Sequence, residues 1–205
     1  MRILLDCDGV LADFLGTVLN AAESHATFHK LGLRPFPRSE DIPGWNLREH
    51  VDAAQHRLIM DILDSKIAAF SGDRNIAAIM RPMAGAQRAV AAMQATASRG
   101  VFVVTSPWVD NAAWEFMRRA WLKRFFNIDE DQIVSTTAKF LVDGDVLVDD
   151  RPKHVRQWQE ARGKKAVLFE HAHNAKERAV AQHSISGWTD DAIRLIYDVA
   201  RENKR

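Results

Sequence analysis

Residues 1–9 read MRILLDCDG, and this stretch decides the fold. The unbroken apolar run at residues 3–5 stops at two acids, Asp6 and Asp8, that a single residue separates. Short apolar runs without alternation are typical of strands that are covered on both faces of a sheet. Gly9 follows the acids and allows the chain to turn sharply. The stretch therefore predicts a buried strand that delivers two carboxylates to one edge of a sheet.

Three further apolar runs of the same kind occur later, at residues 101–104 (VFVV), 146–148 (VLV) and 166–169 (AVLF). Stretches with apolar residues at helical spacing lie between them and are long enough for crossover connections. Two of these stretches carry Val90, Met93 and Ala97, and Trp114, Met117, Trp121 and Phe125. Because strands and helices alternate, we predict an α/β fold with a parallel, Rossmann-like sheet.

One connection, residues 14–81, is too long for a simple crossover. It contains one helical pattern from Phe14 to Ala26 and another between residues 51 and 67, whereas structureless loops of this length are uncommon in compact domains. We therefore predict a small helical cap over this connection, inserted after the first strand of an α/β core that residues 1–13 and 82–205 form.

The composition bounds the class of protein. The chain has 205 residues, of which 47% are apolar and 27% charged, so it can bury a core. Its 28 basic and 27 acidic residues give a net charge of +1, which argues against a dedicated nucleic-acid binder. The sole cysteine, Cys7, excludes an intramolecular disulfide and a cysteine-based zinc site. Since no run approaches the ~18 apolar residues of a membrane span, we expect a soluble, unprocessed cytoplasmic protein.

Polar residues collect where the predicted strands end. Three runs stop at Asp6 and Asp8, at Thr105 and Ser106, and at Asp149 and Asp150. Ligands of open α/β sheets bind just beyond the carboxyl ends of the strands. Four carboxylates gathered there repel one another unless a cation joins them. Mg²⁺ is favoured, because it takes oxygen ligands, keeps several waters and often shares its shell with a substrate phosphate.

Lys139 precedes the third run, and its ammonium can offset the charge of these acids. Each motif also has a simpler interpretation: Asp-x-Asp-Gly and Thr-Ser-Pro often only start turns, an acid pair before proline is compatible with a helix N-terminus, and a lone lysine is usually solvated. The occurrence of all four in this order favours one common site.

These residues carry a resemblance to a known family. DCDGVLADF (residues 6–14), VVTSP (103–107), Lys139 and VLVDDRP (146–152) resemble the four motifs of the haloacid dehalogenase superfamily of phosphohydrolases, in a form similar to its 5′(3′)-deoxyribonucleotidases. The resemblance spans the chain and includes the helical cap. It implies a Mg²⁺-dependent hydrolase that dephosphorylates a small phosphomonoester, foremost a nucleoside monophosphate, and it leaves a homodimer open.

The resemblance also implies roles for individual residues. Asp6 is expected to attack phosphorus and form an aspartyl-phosphate, and Asp8 to protonate the leaving oxygen and then activate water. Mg²⁺ is expected on the Asp6 carboxylate, the backbone carbonyl of Asp8 and the Asp150 carboxylate, with Asp149 orienting this shell or Lys139. Lys139 is expected to shield the charge of Asp6 against that of the incoming phosphate.

The substrate is expected to contact two further groups. By resemblance, Thr105 and Ser106 donate hydrogen bonds to the phosphoryl oxygens, and Phe14, Trp45 and Phe70 form an aromatic pocket over the nucleobase. Aromatic residues on helices are, however, core residues more often than not. The chain also departs from the family pattern after Thr-Ser-Pro, where tryptophan follows instead of a basic residue. A sugar phosphate, a nucleic-acid end and a non-catalytic phosphate-binding module therefore remain alternatives.

Two other clusters have simpler interpretations. His171 and His173 follow the last apolar run, and without a third ligand nearby we interpret them as surface or supporting residues rather than a metal site. The basic stretch at residues 118–124 surrounds Trp121, and we interpret it as the solvated face of an amphipathic helix rather than a nucleic-acid patch.

Overall fold

The computed structural model describes residues 1–44, 46–67, 70 and 74–204. Its strands are β1 (Ile3–Leu5), β2 (Ala12–Asp13), β3 (Arg81–Pro82), β4 (Val101–Thr105), β5 (Ile133–Ser135), β6 (Val146–Asp149), β7 (Val167–Phe169) and β8 (His183–Ile185). Within this part of the chain, six strands form one parallel sheet in the order β5-β4-β1-β6-β7-β8. The predicted α/β fold with a parallel sheet is confirmed, and all four apolar runs are strands.

The helices fall into two groups. Those that follow β3 along the chain connect and cover the sheet: α5 (Ala86–Thr96), α6 (Trp114–Phe126), α7 (Pro152–Arg162) and α8 (Asp190–Glu202). Those before β3 are α1 (Phe14–Glu23), α2 (Ala26–Lys30), α3 (Ala53–Leu63) and α4 (Ile76–Ile79). The second group leaves from β2 and returns at β3, two strands that pair in a short antiparallel ribbon. The division into a core and a cap at these strands stays a prediction.

The sheet is buried on both faces, which is why its central strands read as unbroken apolar runs. Ile3 and Leu5 point into the larger core, whereas Leu4 points into a smaller one with Trp158. This alternation is the period of two that a strand imposes. Among the described residues, no helix combines the length and the apolar character needed to cross a bilayer.

The structure differs from two expectations about secondary structure. The single helix predicted from Phe14 to Ala26 is wrong, because α1 ends at Glu23 and α2 starts afresh. The Ser24 hydroxyl donates to a carbonyl of the preceding turn, and His25 has an extended backbone and accepts from the Thr27 N–H as an N-cap. The edge strands β5 and β8 were not predicted, because each is only three residues long and half-exposed in part.

Candidate active site

The sheet register brings the ends of β1, β4 and β6 to one edge. Leu5 lies beside Val103 on one side and Val148 on the other, and the Asp6 N–H donates to the Val148 carbonyl at 2.9 Å. Asp6 therefore lies level with the end of β6, where Asp149 and Asp150 follow. All three acids are buried.

Lys139 lies at the start of a short 3₁₀ helix and places its ammonium between two of these acids. Its Nζ lies 2.6 Å from Asp6 Oδ1 and 2.8 Å from Asp149 Oδ2, and the side chain is buried. Burial alone would lower the pKa of Lys139, but the charges of Asp149 and Asp6 raise it, so the ammonium stays protonated at neutral pH. We call Asp6, Lys139, Asp149 and Asp150 the acidic edge.

Asp149 is ionised and held on several sides. Besides Lys139, it accepts from the Arg151 N–H at 2.8 Å and lies 3.2 Å from His154 Nδ1. Burial would raise the pKa of Asp149, but Lys139 and His154 lower it to about 2. Asp6, Asp149 and His154 have ligand atoms within 4.8 Å of one another, yet the ammonium of Lys139 already lies between the two carboxylates. In this structure the Lys139 ammonium therefore links the two carboxylates of this trio as an ion-pair cluster.

The positive charge near Asp6 and Asp150 does not offset their burial, since Asp6 shares the Lys139 ammonium with Asp149. Burial and the charge of Asp149 raise the pKa of Asp6 to about 6, and burial and the charge of Asp6 raise the pKa of Asp150 well above its ordinary value. Two buried carboxylates whose ionisation is disfavoured by burial and by neighbouring acids are a fitting donor set for a hard divalent cation. The oxygen chemistry of this pair suits Mg²⁺.

Gly9 is required for the approach of Asp150. Its φ is +76°, and a Cβ at this position would lie 2.1 Å from Asp150 Oδ2. Asn174 fixes the Asp150 backbone from the other side, since its Nδ2 donates to the Asp150 carbonyl at 2.7 Å. His171 Nε2 pairs with the Gly9 carbonyl at 2.6 Å, and His173 Nε2 lies 3.5 Å from Asp150 Oδ2. The two histidines thus support the loops that carry Gly9 and Asp150.

Thr105 and Ser106 lie at the end of β4, beside β1. Thr105 is buried, and within the described chain its Oγ1 has no hydrogen-bond partner. Buried hydroxyls without a partner are rare and need an explanation, of which a ligand is one. Ser106 is half-buried. The structure therefore places both predicted phosphate-binding residues at the same sheet edge as the acids.

Asp8 forms an ion pair with Arg118, a residue that was predicted to lie on a solvated helix face. The interpretation of residues 118–124 as a solvated face is wrong for Arg118, which is only 1% exposed and has its Nη1 at 2.6 Å from Asp8 Oδ1. Its guanidinium lies 4.4 Å from the ring centroid of Trp114. The signal was present in the sequence, because Trp114, Arg118 and Trp121 follow one another at helical spacing on the buried face.

Two of the three residues of the predicted aromatic pocket, Phe14 and Phe70, are described by the structure, and they contact different partners. Phe14 starts α1 and packs edge-to-face on Trp114, at 6.2 Å between ring centroids, which puts it near Arg118 and Asp8. Phe70 instead contacts the ring of His25 at 5.8 Å. Trp45 lies outside the described residues. The role of these side chains toward a base stays a prediction.

A second buried polar cluster, absent from the sequence analysis, joins α3 and α4 to the segment after β4. Asn111 Nδ2 donates to the Leu63 carbonyl at 2.8 Å, and Asn75 Nδ2 donates to Asn111 Oδ1 and Ser65 Oγ, both at 2.9 Å. Both asparagines are buried. We call these four residues the asparagine junction. No sequence pattern indicates it, because asparagines near helix ends usually read as caps or turns.

Together, the fold and the motifs at its sheet edge define a haloacid dehalogenase-like phosphohydrolase. The fold is also found in solved structures: a conserved haloacid dehalogenase-like protein from Agrobacterium tumefaciens covers 97% of this chain and 98% of its own, with a TM-score of 0.56 and 16% identity. Residues 1–202 match the family model described as 5′ nucleotidase, deoxy (pyrimidine), cytosolic type C protein, and the chain belongs to that family.

Two human relatives with similar sequences are named as members of the same kind of enzyme. The chain is 31% identical to the mitochondrial 5′(3′)-deoxyribonucleotidase over 198 residues, which span 93% of this chain and 80% of the relative. It is 28% identical to the cytosolic-type 5′(3′)-deoxyribonucleotidase over 175 residues, or 85% and 82% of the two chains. The resemblance inferred from the motifs is confirmed, and the protein is a hydrolase acting on phosphoric monoesters.

Proposed function

We propose that this protein is a Mg²⁺-dependent 5′(3′)-deoxyribonucleotidase that dephosphorylates deoxynucleoside monophosphates through an aspartyl-phosphate. The observation that carries the proposal is the arrangement of Asp6, which is buried against Lys139 and followed two residues later by the half-buried Asp8. A non-catalytic phosphate-binding module needs no second carboxylate at this position. The names of the two human relatives support the choice of substrate.

We assign the attack on phosphorus to Asp6 Oδ2. The other oxygen, Oδ1, accepts from Lys139 and from the Cys7 N–H at 2.7 Å, which fixes the plane of the carboxylate. The pKa of Asp6, raised to about 6, still leaves the carboxylate ionised at neutral pH. Formation of a covalent acyl-phosphate replaces one difficult displacement by two easier ones.

Asp8 is the general acid in the first step and the general base in the second. In the first step the bond between phosphorus and the leaving oxygen breaks, and Asp8 donates its proton to that oxygen. In the second step Asp8 takes a proton from the water that attacks phosphorus, which releases phosphate and restores Asp6. The two transfers balance, so one turnover returns Asp8 to its protonated form.

The remaining residues stabilise charge and hold the cation. Lys139 shields Asp6 from the incoming phosphate, and the hydroxyls of Thr105 and Ser106 donate to the phosphoryl oxygens. The Asp6 and Asp150 carboxylates and the Asp8 backbone carbonyl would hold Mg²⁺, with Asp149 orienting Lys139. When bound, Mg²⁺ supplies positive charge that polarises the phosphoryl group.

The base-binding and cellular parts of the proposal rest on fewer observations. We assign Phe14, Trp45 and Phe70 to the nucleobase, where stacking on an aromatic ring contributes about 1–3 kcal/mol per base. A cytoplasmic location is proposed from the single cysteine, Cys7, and from the cytosolic-type relative. A homodimer stays a prediction.

The test is phosphate release from a panel of substrates, with Mg²⁺ and after its removal by a chelator. The panel contains 5′- and 3′-deoxynucleoside monophosphates, sugar phosphates, a 3′-phosphorylated oligonucleotide and p-nitrophenyl phosphate. We expect Mg²⁺-dependent turnover with the highest kcat/KM on deoxynucleoside monophosphates. A preference for another substrate overturns the nucleotide assignment, and absence of turnover on every substrate overturns the enzymatic one.

The same assay tests the nucleophile with a matched pair of variants. We expect Asp6→Asn to lower kcat by about 10²- to 10⁴-fold, because it removes the attacking oxygen. Asp143→Asn changes an exposed acid on the protein surface and is expected to leave kcat unchanged. Equal activity of the two variants contradicts the role of Asp6.

A further inference from the structure

We propose that Arg118 is a positioning residue that holds the Asp8 carboxylate so that one of its oxygens faces the substrate. The inference rests on the proposed function, because Arg118 acts through the proton transfer that is assigned to Asp8. It concerns a residue on α6, outside the four motifs, whose charge is enclosed in the core.

The first observation is that one side of the Asp8 side chain is buried and the other is exposed to solvent. Arg118 Nη1 lies 2.6 Å from Asp8 Oδ1, which is buried, although the Asp8 side chain as a whole is 30% exposed. The exposure therefore belongs to the side of Asp8 that Arg118 does not cover. The contact is an ion pair, and the same Nη1 also donates to Cys7 Sγ at 2.9 Å.

The second observation is how Arg118 itself is held. Its guanidinium stacks 4.4 Å from the ring centroid of Trp114 and 5.9 Å from that of Trp121, and its Nη1 lies 3.6 Å from Met80 Sδ. Within the described residues its Nε and Nη2 have no hydrogen-bond partner. A buried guanidinium is costly unless a negative charge compensates it. Among the described residues, Asp8 lies within ion-pair distance, and it carries that negative charge in the interval between the two proton transfers.

The third observation concerns the direction of the Asp8 side chain. Strand β1 ends at Leu5, so the rule that residues two apart share one side of a strand does not extend to Asp8. Asp8 lies in a turn whose backbone is held by hydrogen bonds from the Gly9 N–H to the Ala12 carbonyl and from the Ala12 N–H to the Cys7 carbonyl, but these bonds do not fix its carboxylate. A proton donor must present its oxygen to the leaving group within a narrow range of positions. Arg118 supplies the constraint that the strand does not.

The experiment uses two leaving groups of different acidity. A deoxynucleoside leaves as an alkoxide that needs a proton, whereas p-nitrophenolate leaves readily without one. Single-turnover rates of phosphoryl transfer are measured for the native protein and for Arg118→Met, Arg118→Lys, Asp8→Asn and Arg119→Met. Arg119 is the neighbouring residue, is partly exposed and pairs with Glu115, so it controls for the loss of a charge on α6.

We expect Arg118→Met to slow phosphoryl transfer from the deoxynucleoside monophosphate by about 10- to 100-fold and transfer from p-nitrophenyl phosphate far less. KM is expected to change little, Arg118→Lys to recover part of the rate, and Arg119→Met to match the native protein on both substrates. Equal losses on both substrates, or no loss, overturn the proposal. If Arg118→Met fails to fold, Arg118→Gln, which removes the charge but keeps a polar side chain, takes its place in the same comparison.

Asp8→Asn separates this proposal from the proposed function. If that variant also loses rate mainly on the deoxynucleoside monophosphate, Asp8 is the proton donor, and the Arg118 variants then decide the present question. If Asp8→Asn shows no dependence on the leaving group, the role of Asp8 fails, and the role of Arg118 fails with it.

Discussion

The acidic edge and the asparagine junction are both buried polar clusters, but their charges and hydrogen-bonding groups are satisfied to different extents. At the acidic edge, one ammonium contacts two of the three carboxylates, those of Asp6 and Asp149, and the pKa values of Asp6 and Asp150 are raised by burial and by their acidic neighbours. At the junction, neutral amides satisfy one another and nearby backbone groups. The comparison teaches that the first cluster is short of positive charge and suits a cation and a phosphate, whereas the second is complete without a ligand.

The sharpest way to break the acidic edge is to remove its one ammonium. Lys139→Met leaves Asp6 and Asp149 buried without their shared partner, and removal of one member of a buried ion pair typically costs about 3–5 kcal/mol. We expect a loss of this size in the free energy of unfolding, measured by urea denaturation at pH 7. Activity is expected to fall as well.

Lys123→Met is the matched control for this prediction. Lys123 pairs with Asp129 at 2.7 Å, a distance like those of Lys139, but both side chains are more than half exposed. Exposed ion pairs contribute about 0–1 kcal/mol, so this variant is expected to stay close to the native stability. Similar losses for Lys123→Met and Lys139→Met contradict the account of the acidic edge.

The pH dependence of stability gives a second test of the charge deficit at the acidic edge. The folded pKa of Asp6, about 6, lies above its ordinary value of 3.8, so its ionisation destabilises the metal-free fold as pH rises from 3.8 through 6. We expect Asp6→Asn to be more stable than the native chain at pH 7 by up to about 3 kcal/mol, with the advantage fading toward pH 4. Unfolding free energies in the presence of a chelator measure this difference.

Asp149 affects the pH dependence of the free energy of unfolding in the opposite direction to Asp6. Its folded pKa of about 2 lies below 3.8, so its stabilisation is present above pH 3.8 and is lost as pH falls toward 2. Asp6→Asn leaves Asp149 in place, so this loss is expected in both chains and cancels in their difference. Addition of Mg²⁺ is expected to narrow the gap at pH 7. A gap that does not depend on pH contradicts the assignment.

The smallest expected effect is at the asparagine junction. Asn111→Ala removes the donor to the Leu63 carbonyl, and one unsatisfied buried group costs about 1–3 kcal/mol, whereas the Asn75 amide keeps its hydrogen bond to Ser65 Oγ. Because the junction joins the predicted cap to the segment after β4, we also expect KM for deoxynucleoside monophosphates to rise more than kcat falls. Asn20→Ala, on the exposed face of α1, is expected to change neither quantity.

The same two clusters mark how far the sequence predicts this protein. Asp6, Thr105, Asp149 and Asp150 were placed at one edge because a parallel sheet brings strand ends together, and the structure has them there. Lys139 was expected to reach them from ten residues upstream. The roles assigned to these side chains remain predictions, because their identity and position do not report which bonds they make or break.

Other features of the structure could not be predicted from the sequence, for physical reasons. Arg118 was read as solvated because arginine is almost never fully buried unless it is paired, and its partner Asp8 is distant in sequence. The asparagine junction depends on amide orientations that local patterns do not encode. The edge strand β5 has only three residues, too few for a recognisable sequence pattern, and it is defined by its pairing with β4.

The most direct test of the central claim is to trap the phosphoryl group on the protein. Asp8→Asn is mixed rapidly with phosphorus-labelled p-nitrophenyl phosphate and Mg²⁺, quenched in acid, and digested for peptide mapping. The good leaving group allows the first step, whereas loss of the base slows hydrolysis of the product. We predict label on the peptide that contains Asp6, released by hydroxylamine. A burst of p-nitrophenol without protein-bound label, or label on another residue, contradicts the account.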